Sequence, residues 1–148
     1  MSWAFPPGGL KLSYGDAPYD IHLEARDVGD DIIAAVTGGT RPHIGAVALA
    51  EPPNAPHPVT GERQKSGAAK GDGSVIGKND PCVLPQCRVS TLSAAGHKDA
   101  VIAEMAAHRL CEKYGVSVCV SAGVHVDGAD EAEITLMVDN TKTLLGII

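Results

Sequence analysis

The sequence predicts an α+β fold: a mostly antiparallel sheet of about five strands with two helices packed on one face, in the order β-β-β-loop-β-α-β-α. Three observations carry this. A strict apolar/polar alternation starts at Tyr19, a helical apolar period runs from Gly96 to Tyr114, and a second alternation of valines follows it. No repeat at a fixed period competes with this reading.

In the first strand, Tyr19, Ile21, Leu23 and Ala25 point one way and Asp20, His22, Glu24 and Arg26 the other. One side must therefore face a core and the other water. Gly29-Asp30 makes a turn, and Ile32 to Val36 gives a second, more buried strand in a hairpin with the first. After the turn Gly38 to His43, Ile44 to Ala50 reads as a third strand, with small residues that admit close approach. Residues 51–86 are too rich in proline and glycine for regular structure and read as a long loop insertion.

Arg88 to Leu92 is a short fourth strand. A helix then runs from Gly96 to about Tyr114, with Val101, Ile102, Met105, Ala106, Leu110 and Tyr114 on its apolar side and Gly115 as its stop. Val116, Val118, Val120, Ala122, Val124 and Val126 alternate with smaller or polar residues in the fifth strand. Asp130 with Glu133 makes a capping box, which opens a helix carrying Ile134, Met137, Val138 and Leu145. One-sided strands need cover, and two helices supply it on one face. The other face or an edge is left for self-association, so a homodimer or higher homo-oligomer is expected.

At 148 residues the chain is expected to be one domain, 1–148, with residues 1–18 as an irregular arm. The net charge is −6 and no basic run is present, which argues against nucleic acid as a partner. No apolar stretch approaches the ~20 residues of a membrane span, and Met1 to Leu10 lacks the apolar region of a signal peptide. A cytoplasmic protein with reduced thiols at Cys82, Cys87, Cys111 and Cys119 is expected.

Chemistry gathers in three places. Gly38-Gly39-Thr40-Arg41-Pro42-His43 joins permissive backbone to a planar cation suited to phosphate; a plain hairpin turn with an exposed arginine is the alternative. Ser90 to Asp99 leads through small residues into a helix start, where free N–H groups favour an anion beside Gly96, His97 and Lys98. His125-Val126-Asp127 follows Ser121 and Gly123 on a face with room for a planar ligand. His125 and Asp127 can also contribute to a divalent metal site, or Asp127 can simply orient His125. His22, His57 and His108 read as solvated.

No catalytic constellation stands out, for the sequence lacks a Gly-x-Ser-x-Gly elbow, a P-loop and a Gly-x-Gly-x-x-Gly turn. Donors, cations and histidines around small residues describe an anion or metal–phosphate site better than a nucleophilic one.

Three segments together, Arg41 to Ala48, Leu92 to Asp99 and Gly123 to Asp127, resemble the LpdD-like family of prenylated-flavin chaperones, which accompany UbiD-type decarboxylases. The similarity spans about residues 19–145 apart from much of 51–86. The resemblance implies binding of prenylated FMN, or FMN, and its protection or delivery to a UbiD-type decarboxylase as client, without catalysis by this chain. It points to His43, His97, Lys98, His125 and Asp127, to which the residue-level reading adds Arg41, Ser90 and Gly96. His43, His97, His125 and Asp127 are expected to converge and to hold a divalent metal ion bridging to the phosphate. The flavin ring is expected over the small-residue face, with Trp3 or a second subunit completing the pocket. Two competing readings are a small metal-dependent hydrolase or isomerase using His97, His125 and Asp127, and a structural subunit of a decarboxylase complex.

Overall fold

Alternating side chains and two amphipathic helices build a two-layer α+β domain. The computed structural model describes residues 4–55 and 86–148. Trp3, His57, Cys82 and most of the expected 51–86 loop lie outside the described residues. The strands are β1 (Leu10–Tyr14), β2 (Ile21–Val28), β3 (Asp31–Gly39), β4 (Ala46–Glu51), β5 (Arg88–Ser93) and β6 (Val118–His125). Helix α1 (Ala100–Tyr114) joins β5 to β6, and α2 (Glu131–Ile147) follows β6. The sheet order is β1-β2-β3-β6-β4-β5, antiparallel throughout except for the parallel pair β3–β6.

Among the described residues the sheet has six strands rather than five. The additional one is β1, inside the segment expected to be an irregular arm. Leu10 and Leu12 alternate with Lys11 and Ser13, and the ladder pairs them with Ala25 and Leu23 of β2. A run of five residues carries little weight as a local pattern, and pairing with a long neighbour makes it a strand.

The period of two puts Ile21, Leu23, Val36, Ala48, Val118 and Val120 on the covered face, where they are fully buried or nearly so. Helix α1 packs on β4, β5 and β6, and α2 on β1 and β2. Small residues let the helix lie close: Ala103, Ala106 and Ala107 of α1 meet Ala46, Ala48 and Ala50 of β4 in one core with Leu110 and Leu144. Arg109 Nε donates to Leu145 O at 3.2 Å and ties the two helices. Gly115, with φ +69°, ends α1 as its sequence predicts, donating its N–H to Cys111 O at 2.8 Å.

The capping box at α2 is formed. Glu133 N donates to Asp130 Oδ1 at 2.9 Å, and Asp130 N donates to Glu133 Oε2 at 2.8 Å. The other oxygen of Glu133 accepts from the Tyr19 hydroxyl, and this bond to a carboxylate raises the Tyr19 pKa. Cys87, Cys111 and Cys119 are free thiols, and burial, with the neighbouring Cys87, pushes the Cys111 thiol up.

No described helix is long and apolar enough to cross a membrane. On the sheet face away from the helices, the register sets Ile33 beside Cys119, Cys119 beside Leu49, and Val47 beside Leu92. Ile33, Leu49 and Leu92 are exposed there.

Candidate functional site

The three motifs meet at one end of the sheet, where β3 and β6 finish, β4 begins and α1 starts. Two glycines make this junction possible. Gly39 (φ +77°) lies so close to β6 that a Cβ would stand 2.2 Å from His125 O. That same carbonyl accepts from Thr40 N at 2.9 Å and Arg41 N at 3.2 Å. The chain then passes across the end of β6, and Gly45 N donates to Ala122 O at 2.8 Å. Gly123 lies beneath this crossing, where a Cβ would come within 1.8 Å of His43 O.

The room expected above Gly123 for a planar ligand is thus filled by the main chain of His43. The glycine is there to admit protein backbone, so the flavin ring has no place over that part of the small-residue face.

The crossing delivers His43 to His97, with His43 Nε2 and His97 Nδ1 2.9 Å apart. Asp99 completes the group: its Oδ2 is 3.4 Å from His43 Nε2 and 3.7 Å from His97 Nδ1. His43 Nδ1 lies 3.1 Å from Arg41 O, which can only accept, so this nitrogen carries its proton and Nε2 faces inward. Asp99 is 6% exposed and its Oδ1 accepts from Val124 N at 2.9 Å.

The start of α1 differs from expectation. Gly96 (φ +78°) belongs to a turn closed by His97 N donating to Ala94 O at 3.1 Å, and the helix begins at Ala100. A left-handed residue cannot sit inside a right-handed helix turn. Asp99 occupies the N-cap position but makes no side-chain capping bond, its carboxylate being turned to the histidines and to Val124.

Beside this group a cleft of about 570 Å³ opens between α1, the end of β6 and α2. Gly96, His97, Lys98, Asp99 and His125 line its polar end, and Val101, Ile102, Val124, Val126, Ile134 and Met137 its apolar wall. Val101 and Ile134 belong to the apolar sides of their helices, yet they are 51% and 42% exposed and line this cleft.

A family model, the prenylated flavin chaperone LpdD-like domain, matches residues 15–69 and 75–148. The chain belongs to this family. No curated protein matches the chain. Among solved structures, a chain from a chaperone complex for yeast 20S proteasome assembly is similar at 13% identity, covering 94% of this chain and 92% of that one with a TM-score of 0.46.

In this LpdD-like domain the predicted site residues divide into groups. His43 and His97 touch, and His125 stands beside them, its ring 5.9 Å from that of His43. Asp127 turns away from the histidine pair: it lies 3.0 Å from His125 Nε2 and accepts from Arg41 Nη1 at 3.3 Å. The His125 hydrogen bond and the Arg41 charge hold the Asp127 carboxyl below the usual carboxylate range. Gly96 and Lys98 line the cleft, whereas Arg41 is on its outside, engaged with Asp127. Ser90 lies within β5 opposite Leu49 and joins none of these groups. Asp99 is absent from the residues expected at the site, although it ends the Leu92 to Asp99 segment. With the helix expected to start at Gly96, Asp99 falls inside its expected first turn, whereas the observed start at Ala100 makes it the N-cap residue.

Proposed function

We propose that this LpdD-like domain binds prenylated FMN and protects it for delivery to a UbiD-type apo-decarboxylase. The observation that carries the reading is the cleft, which joins a histidine- and lysine-lined end to an apolar wall between two helices. Its volume of about 570 Å³ falls in the ordinary range for cofactor sites. His97, Lys98 and His125 would hold the phosphate, and Val101, Ile102, Val124, Ile134 and Met137 the ring system. Among the described residues Lys98 makes no ion pair, so its charge is available to an anion. Once transferred, the prenylated flavin supplies the decarboxylation chemistry in the client. This chain's own residues bind it, orient it and keep water from its apolar part. A cytoplasmic setting and self-association accord with such a carrier.

The test is anaerobic titration with FMN and prenylated FMN, followed by flavin fluorescence, together with mass spectrometry of ligand released from anaerobically purified protein. His97→Ala and Lys98→Ala should each weaken binding about tenfold, the range of one lost charge-assisted hydrogen bond. Ile134→Glu should abolish it without loss of fold, because this side chain is already exposed. Full affinity in all three variants would remove the cleft from the proposal.

The convergence of His43, His97 and Asp99 favours a second reading, a small metal-dependent hydrolase. A colourless, metal-loaded protein with hydrolytic turnover and no affinity for flavin would select it.

A further inference from the structure

Asp99 is a buried carboxylate whose basic neighbours among the described residues are two histidines. Among the described residues, its contacts are one backbone N–H and two histidine nitrogens, and no lysine or arginine reaches it. A charge removed from water requires a compensating cation or a full set of donors. Two of the three residues are also oriented by a second bond. Arg41 O fixes the proton of His43 on Nδ1, which leaves Nε2 with a lone pair unless the ring is charged. Val124 N holds Asp99 Oδ1, which leaves Oδ2 facing the histidines. Such outer contacts are the usual way to aim metal ligands.

From this geometry we infer that His43 Nε2, His97 Nδ1 and Asp99 Oδ2 bind one divalent transition-metal ion. The three atoms lie 2.9, 3.4 and 3.7 Å from one another. Ligands at bond lengths of about 2.0–2.1 Å stand about 2.9 Å apart along an octahedral edge and about 3.3 Å apart in a tetrahedron. Small adjustments of the side chains therefore suffice. Two imidazoles with one carboxylate suit zinc, cobalt or manganese better than calcium or magnesium, which prefer oxygen ligands throughout. Gly45 makes the space, since a Cβ there would stand 1.9 Å from Asp99 Oδ2 and 3.0 Å from His43 Nε2. Three protein ligands leave coordination positions for an oxyanion or water.

The site differs from the group expected from motifs alone: Asp99 replaces Asp127, which is held by His125 and Arg41. The inference goes beyond the flavin reading and does not rest on it.

The experiment uses the full chain, stripped with a chelator and titrated with Co²⁺ in the absence of flavin, by calorimetry and visible absorption. One Co²⁺ per chain is expected, with ligand-field bands. Asp99→Asn removes the charge but keeps an acceptor for Val124 N, and His97→Ala alters an exposed side chain. Each should lower affinity by more than about tenfold, while His22→Ala should leave it unchanged. Circular dichroism of each variant separates lost ligation from lost fold. If the wild-type protein binds no Co²⁺ stoichiometrically, or if both site variants bind it as well as wild type, the cluster shares a proton between its histidines and the inference is overturned. Flavin binding that persists after chelation would leave the carrier reading standing, so the two can fail separately.

Discussion

Gly45 and Asp99 are fitted to each other, the carboxylate occupying the volume that a side chain at position 45 would need, with a Cβ only 1.9 Å from Oδ2. The neighbouring fit is of the same kind: Gly123 receives the main chain of His43, and a Cβ would meet its carbonyl oxygen at 1.8 Å. Glycine serves at both positions to bring polar groups together across a chain crossing, although neither has the positive φ that usually explains a glycine.

Substitution at these positions follows from what must move. In Gly45→Ala the obstacle is a carboxylate that can swing away, so a loss of about 1–3 kcal/mol is expected from overpacking. In Gly123→Ala the obstacle is backbone, and the loss should be larger. Urea denaturation of both variants measures this. Equal midpoints for wild type and Gly123→Ala would show that the crossing is not tightly seated.

The Asp127 carboxyl should titrate below the ordinary aspartate range of about 4, because His125 and Arg41 both favour its charged form. The sign follows from that depression. The cluster with Arg41 and His125 is intact above the usual aspartate range and is lost as pH falls through the lowered value. Carboxyl-carbon NMR titration reads this directly. His125→Ala should raise the midpoint more than Arg41→Ala, since the hydrogen bond from His125 is the larger cause. Identical midpoints in wild type and both variants would show that the contacts do not persist in solution.

The sheet face opposite the helices carries Ile33 on β3, Val47 and Leu49 on β4 and Leu92 on β5, with Cys119 of β6 between Ile33 and Leu49. We propose that copies of the chain associate through it, because apolar side chains grouped on one face gain by leaving water. Ile33→Asp with Leu49→Asp should shift sedimentation from oligomer toward monomer and leave helix content unchanged. A wild-type protein that sediments as a monomer at all concentrations would exclude this contact.

Some of the molecule was legible along the chain because the information is local. The alternation at Ile21, Leu23 and Ala25 marks which face of β2 is buried, whatever it packs against. Asp130 and Glu133 cap α2 across a single turn, and Gly115 stops α1 one residue beyond it. The strand β1 escaped because its five residues become a strand through pairing with β2. The onset of α1 was misplaced because Gly96 turns the chain before the helix, and both roles suit a glycine near a helix start.

Within the site, the motifs identified His43, His97 and His125 as neighbours in prospect, and family resemblance named the ligand class. Only the tertiary structure decided which carboxylate joins them. Asp99 and His43 are far apart in sequence and meet because the chain after β3 crosses the end of β6 above Gly123. The cleft has the same origin: Val101 and Ile134 follow a core-like helical period, yet both stay exposed where α1 and α2 part. A periodic pattern records that a residue is apolar and which way it faces. What lies opposite, protein or an open cleft, depends on contacts between distant segments that no local pattern contains.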